Sequence, residues 1–139
     1  MIVAIIEPDL YNWTTELQER LRDVLCNLVV RQGAFIFLFA NVGDFEDYCY
    51  EIVTKLKKRF PYVERHYYHG GCDYDKGYVD YMADLYDNLH FPPMGAQLSQ
   101  HMRTCTMIDI CDILVTCGAV WAEEYALKKK KRIINIFQQ

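Results

Sequence analysis

The stretch from Arg103 to Ile136 most constrains what this chain can fold into. It reads as the end of a helix, a buried strand, a glycine turn, a second helix and another buried strand. The apolar run that ends in Ile113, Leu114, Val115, Thr116 and Cys117 has no sustained polar alternation, as expected of a parallel strand covered on both faces. Gly118 then hands over to a helical pattern. In open parallel sheets ligands bind in the crevice beyond the carboxyl ends of the strands, where the next helix offers unpaired N–H groups to an anion. The stretch thus predicts a strand, turn and helix around a ligand, and leaves the ligand's identity open.

The same alternation runs through the rest of the chain. Ile2 to Ile6 is a short apolar run broken by Glu7, Pro8 and Asp9, hence a first buried strand and its exit. Leu17, Leu21, Val24, Leu25 and Leu28 keep helical spacing, with Asn12 or Thr14 able to cap the start and Gly33 the end. Ala34 to Ala40 is a second buried strand, and Asn41 to Gly43 its exit turn. Asp44 is a good N-cap for a helix striped by Phe45, Tyr48, Cys49, Ile52, Val53 and Leu56, ending near Phe60 and Pro61.

A third strand is expected at Tyr62 to Tyr68. Between His69 and Ala96 the pattern dissolves into Gly, Asp, Tyr and the Pro92-Pro93 pair, which predicts a long flap with one helical turn around Tyr78 to Leu85. Helical spacing returns at Leu98, Met102, Cys105 and Ile108. The expected fold is α/β, a Rossmann-like three-layer sandwich of about five mostly parallel strands with helices on both faces.

Composition narrows the class. With 139 residues, 52% of them hydrophobic, one domain with its own core is the natural reading. A net charge of -4 and a pI near 5.5 argue against a general grip on nucleic acid or an anionic membrane. No apolar run approaches the roughly 18 residues of a membrane span, and no basic segment precedes an apolar leader, so a cytoplasmic location is expected. Six cysteines without any C-x-x-C pair read as free thiols, four of them (Cys26, Cys49, Cys105 and Cys111) inside apolar patterns. The eleven tyrosines need partners for their hydroxyls, which places some at a wet cleft or interface.

The segments from Asn41 to Val63 and from Arg103 to Ile136, with this order of elements, resemble the small Rossmann-like proteins of the SLOG superfamily, kin to the lonely-guy phosphoribohydrolases and DprA. The resemblance covers most of the chain. Asn41, Gly43 and Phe45 match a Gly-Asn-x-Gly-x-Phe-Asp motif, with Ala40 and Glu46 at its first glycine and its aspartate. Arg103, Met107, Ile108 and Asp112 match an Arg-Asn-x-x-Met-Ile-x-x-Ser-Asp motif, with Thr104 and Cys111 replacing asparagine and serine. Glu7, Pro8 and Asp9 stand where Gly-His-Arg is usual. Against the hydrolase pattern Gly-Gly-x-Gly-Thr-x-x-Glu, Gly118 and Glu124 remain, while Val120 and Trp121 replace a glycine and a threonine.

The candidate ligand site combines Asn41, Gly43, Arg103, Gly118 and Trp121. Asn41 both donates and accepts, Gly43 lets the backbone approach, and Arg103 can fork onto a phosphate or carboxylate. Equally, Asn41 can cap the next helix and Arg103 can form a surface ion pair. Trp121 either stacks on a base or plugs the cleft. Glu124 is the candidate catalytic carboxylate, on the strength of the resemblance, while Glu123 suits the helix dipole. Glu7 and Asp9 either repel phosphate or bind a sugar hydroxyl or a cation.

His66, His69 and Cys72 have a ligand-like spacing in what reads as a loop, but no metal site and no cofactor is expected. Lys128 to Arg132 reads as the cationic end of a helix rather than a nucleic-acid patch. The leading expectation is binding or sensing of a nucleotide-like small molecule. The alternatives are N-glycosidic hydrolysis of a nucleoside monophosphate through Glu124 and Arg103, and a protein-interaction module using the tyrosine-rich His69 to Phe91 region. The resemblance also implies a homodimer or higher homo-oligomer.

Overall fold

Apolar runs become strands and striped segments become helices in the order the sequence dictates. The computed structural model describes residues 1–8, 11–40 and 43–138, so Asn41 and Asp9 lie outside the described residues. Strands β1 (Ile2–Ile6), β2 (Ile36–Phe39), β3 (Glu64–Tyr68), β4 (Asn88–His90), β5 (Ile113–Thr116) and β6 (Arg132–Asn135) alternate with helices α1 (Thr15–Gln32), α2 (Asp44–Arg59), α3 (Lys76–Leu85), α4 (Gln100–Ile110) and α5 (Val120–Lys128). The strands form one six-stranded sheet in the order β4-β3-β2-β1-β5-β6. Every pairing is parallel. The fold is an α/β Rossmann-like three-layer sandwich, with a sixth strand beyond the five expected and no antiparallel member.

Alternate strand residues feed two cores, as the period of a strand requires. Val3, Ile5, Phe37, Phe39 and Val115 pack with α1 and α2 on one face, while Ala4, Ile6, Leu38 and Leu114 pack with α4 and α5 on the other. Thr14 caps α1, accepting the Leu17 N–H at 3.1 Å, and Gly33 ends it at φ 75°, where a side chain would be strained.

Two expectations change. Asp44 does not cap α2: Gly43 occupies the cap position without a side-chain hydrogen bond, and the helix is capped from a distance, as described below. The region from His69 to Ala96, expected as a flap, carries α3 and the edge strand β4, with Asp75 capping α3 by accepting the Tyr78 N–H at 2.8 Å. The Tyr67 and Tyr86 rings, 5.1 Å apart, lie against the α1 and α2 core and tie this region to it.

No helix among the described residues is long and apolar enough to cross a membrane. All six cysteines are free.

Candidate functional site

From β1 the chain builds the sheet outward through β2, β3 and β4, then returns to the other edge of β1 with β5 and continues to β6. Strand order therefore reverses between β1 and β5, and the carboxyl ends at such a reversal leave a crevice. A cleft of about 360 Å³ opens there, lined by Glu7 from the exit of β1, Gln100 and Thr104 from α4, and Gly118, Trp121 and Glu124 from the exit of β5 and α5.

The floor of this cleft is stitched by Thr116. Its hydroxyl donates to the Ile6 carbonyl at 3.2 Å and accepts the Ala119 N–H at 3.2 Å, fixing the two strand exits to each other. Gly118 takes φ 98°, and a Cβ on it would meet the Phe137 ring at 3.2 Å, so both conformation and space demand glycine. Ala119 caps α5 without a side-chain hydrogen bond. Trp121 stacks on His101, with ring centroids 4.2 Å apart and planes at 26°. Glu124 is exposed on the rim, whereas Glu123 accepts a hydrogen bond from the Asn135 side chain at 3.0 Å.

The other wall is set by Glu7. Its carboxylate accepts the Glu46 N–H at 2.7 Å and the Phe45 N–H at 3.4 Å, two amides of the first turn of α2. The Tyr11 hydroxyl donates to the same carboxylate and accepts the Phe45 N–H at 2.8 Å. Burial and the neighbouring carboxylate push the Tyr11 hydroxyl well above its ordinary pKa, so it remains a donor. Gly43 makes room for this arrangement, because a Cβ there would lie 2.4 Å from the Glu7 carboxyl carbon. Burial, with a contribution from Glu7, raises the Cys117 thiol to about 12, which removes it as a nucleophile at neutral pH.

Arg103 lies apart from the cleft. Its Nη1 donates to the Ala40 carbonyl at 3.2 Å, while the Ala40 N–H donates to the buried Glu46 carboxylate at 3.1 Å. The guanidinium packs against Gly70 and faces a second, larger cavity of about 1080 Å³, bordered by Gly70, Tyr74, Gly95 and Ser99. Of the predicted site residues, the fold thus brings Gly118, Trp121 and Glu124 together and places Gly43 behind Glu7. Arg103 goes to the far side of the first turn of α4, and Asn41 lies outside the described residues. Glu7, read from the sequence as a group that repels phosphate or binds a sugar hydroxyl or a cation, joins the site, as do Gln100, Thr104 and His101, which were not singled out. Only Glu7 carried a signal, an acid directly after a buried strand.

His66, His69 and Cys72 diverge. His66 bridges Glu64 at 3.0 Å and His90 at 2.9 Å, Cys72 is exposed, and His69 is enclosed by Tyr67, Tyr74, Tyr78 and Phe91. Among the described residues no group of three or more His, Cys, Asp or Glu side chains is placed to hold a metal ion. His69 is 2% exposed and neither ring nitrogen has a hydrogen-bond partner.

Burial lowers the pKa of His69 and of His90. The unfolded chain therefore takes up protons first as pH falls below about 6.5, and stability falls with it. Urea melts of wild type are expected to show this loss between neutral and mildly acidic pH. His69→Phe, which removes two orphaned nitrogens from an aromatic box, is expected to be more stable at neutral pH by about 1 kcal/mol and to lose less on acidification. Equal pH slopes for the two proteins would show that His69 does not contribute.

No protein-family model matches the chain, and no curated protein matches it.

Proposed function

We propose that the chain is a SLOG-type domain that binds a nucleotide-derived small molecule in the crevice between β1 and β5, in a sensing or sequestering role. The carrying observation is the position of the 360 Å³ cleft at the reversal of strand order, with an indole on its wall. Trp121 supplies an aromatic face, and base stacking on such a face is worth about 1–3 kcal/mol. Gln100 offers an amide that both donates and accepts, suited to the edge of a base. Gly118 and Ala119 bring backbone to the cleft. Arg103 supports this reading indirectly, by fixing the Ala40 carbonyl at the exit of β2. Six free thiols fit a reducing cytoplasm. Self-association is part of the proposal through the resemblance alone.

Hydrolysis is the weaker reading, because Glu124 and Arg103 line different cavities and so do not converge on one glycosidic bond. Isothermal titration with nucleosides and nucleotides, followed by chromatography of each mixture, tests both readings. Binding without release of free base is expected, weakened about tenfold or more in Trp121→Ala. Base release abolished by Glu124→Gln would establish the enzyme instead. No heat with any member of the panel would sink the binding role of this cleft.

A further inference from the structure

The amides that open α2 point toward the exit of β1, where they would suit a ligand's anionic group. In this chain the Phe45 and Glu46 amides among them are already taken. Glu7 accepts both the Phe45 and the Glu46 N–H, and Tyr11 closes the arrangement from the third side. Gly43 leaves the volume of a side chain free, and the Glu7 carboxylate fills it.

The charged side chains among the described residues lining the cleft are both acids, while His101, stacked on Trp121, adds a basic ring beside that lining. Glu7 and Glu124 stand on opposite walls, and none of the described residues lining the cleft is Lys, Arg or His. Asp44, Glu46 and Asp47 add acids to the first turn of α2. Among the described residues lining the cleft, what favours an anion is the start of α5, worth about half a positive charge, against the full negative charges of Glu7 and Glu124. The cationic side chain expected to face the ligand, Arg103, faces another cavity.

From this we infer that Glu7 is the specificity-determining residue of the cleft: it stands in for a ligand phosphate, so the ligand is a nucleoside that carries no phosphate. This rests on the reading of the cleft as a nucleotide-derived ligand site. Carboxylates at Glu7 and Glu124 accept hydrogen bonds and donate none when ionised, so they favour the hydroxyls of a ribose or the amino group of a base and repel phosphate oxygens.

Titration of the full chain with adenosine, guanosine, cytidine and uridine, each paired with its 5′-monophosphate, tests the inference. At least one nucleoside is expected to bind tenfold or more tightly than its monophosphate. Glu7→Gln, which keeps the shape but removes the charge, should narrow that gap to threefold or less. Should that variant unfold, Glu124→Gln removes the opposite charge without touching α2 and should narrow the gap as well. Monophosphates that bind wild type as tightly as their nucleosides in every pair that binds overturn the inference while leaving the site in place. A gap unchanged in both folded variants overturns the role of these charges. Failure of every nucleoside and every monophosphate to bind removes the site itself, and the inference with it.

Discussion

Gly43→Ala is expected to destabilise the protein by about 1.5–3 kcal/mol, far more than a surface methyl group should. The backbone is not the reason: Gly43 has φ 167°, extended geometry that any residue adopts. The reason is that the new Cβ would sit 2.4 Å from the Glu7 carboxyl carbon. The carboxylate is the end of a flexible side chain and can swing away, but in doing so it abandons the Phe45 and Glu46 amides and the Tyr11 hydroxyl. Hydrogen bonds to a charged group are the stronger kind, which sets the size of the loss. The mechanism is checked by a double-mutant cycle in urea: with Glu7→Ala already present, Gly43→Ala should change stability by less than about 0.5 kcal/mol. Additive losses would show that Glu7 is not the partner that matters.

Phe45→Ala should cost about 3–5 kcal/mol, a large share of the stability of a domain this size. Phe45 is fully buried and sits edge-on to Tyr11 and Trp13, with centroids 6.3 and 6.2 Å away. Trp13 in turn contacts Tyr48 at 5.4 Å, so one deletion opens a void among several packed aromatic rings. Denaturant melts give the magnitude, and a red shift of Trp13 emission reports the opened packing. A loss below about 1 kcal/mol would mean the rings close over the gap.

The legible part of this fold was the part written in local pattern. β1, β2 and β5 are unbroken apolar runs because both faces are covered, and Gly33 and Thr14 mark the ends of α1 by chemistry that acts within a few residues. β4 escaped because it has three residues and a polar first member, Asn88. α3 was legible only as a single helical turn within a flap, because it buries only Met82 and so carries no stripe. The cap of α2 was out of reach for a different reason. Glu7 and Glu46 are 39 positions apart, and nothing short of the β1–β2 pairing brings them together. The division of the candidate site has a simple cause as well. Arg103 and Thr104 are consecutive on α4, and consecutive helical residues point about 100° apart, so the pair straddles the helix and serves two cavities.

The ends of the sheet bear on how copies of this chain meet. A parallel sheet exposes unpaired backbone at its two outer strands, and such edges invite strands from other molecules. Here one outer strand, β4, is three residues long, too short a template to hold an added strand. The other, β6, begins at Arg132 directly after Lys128 to Lys131, a run of like charge that would face itself in a parallel, in-register pairing of two copies. A short edge at β4 and a cationic approach to β6 both disfavour sheet extension, which leaves the helical layers as the surfaces through which copies of this chain would meet.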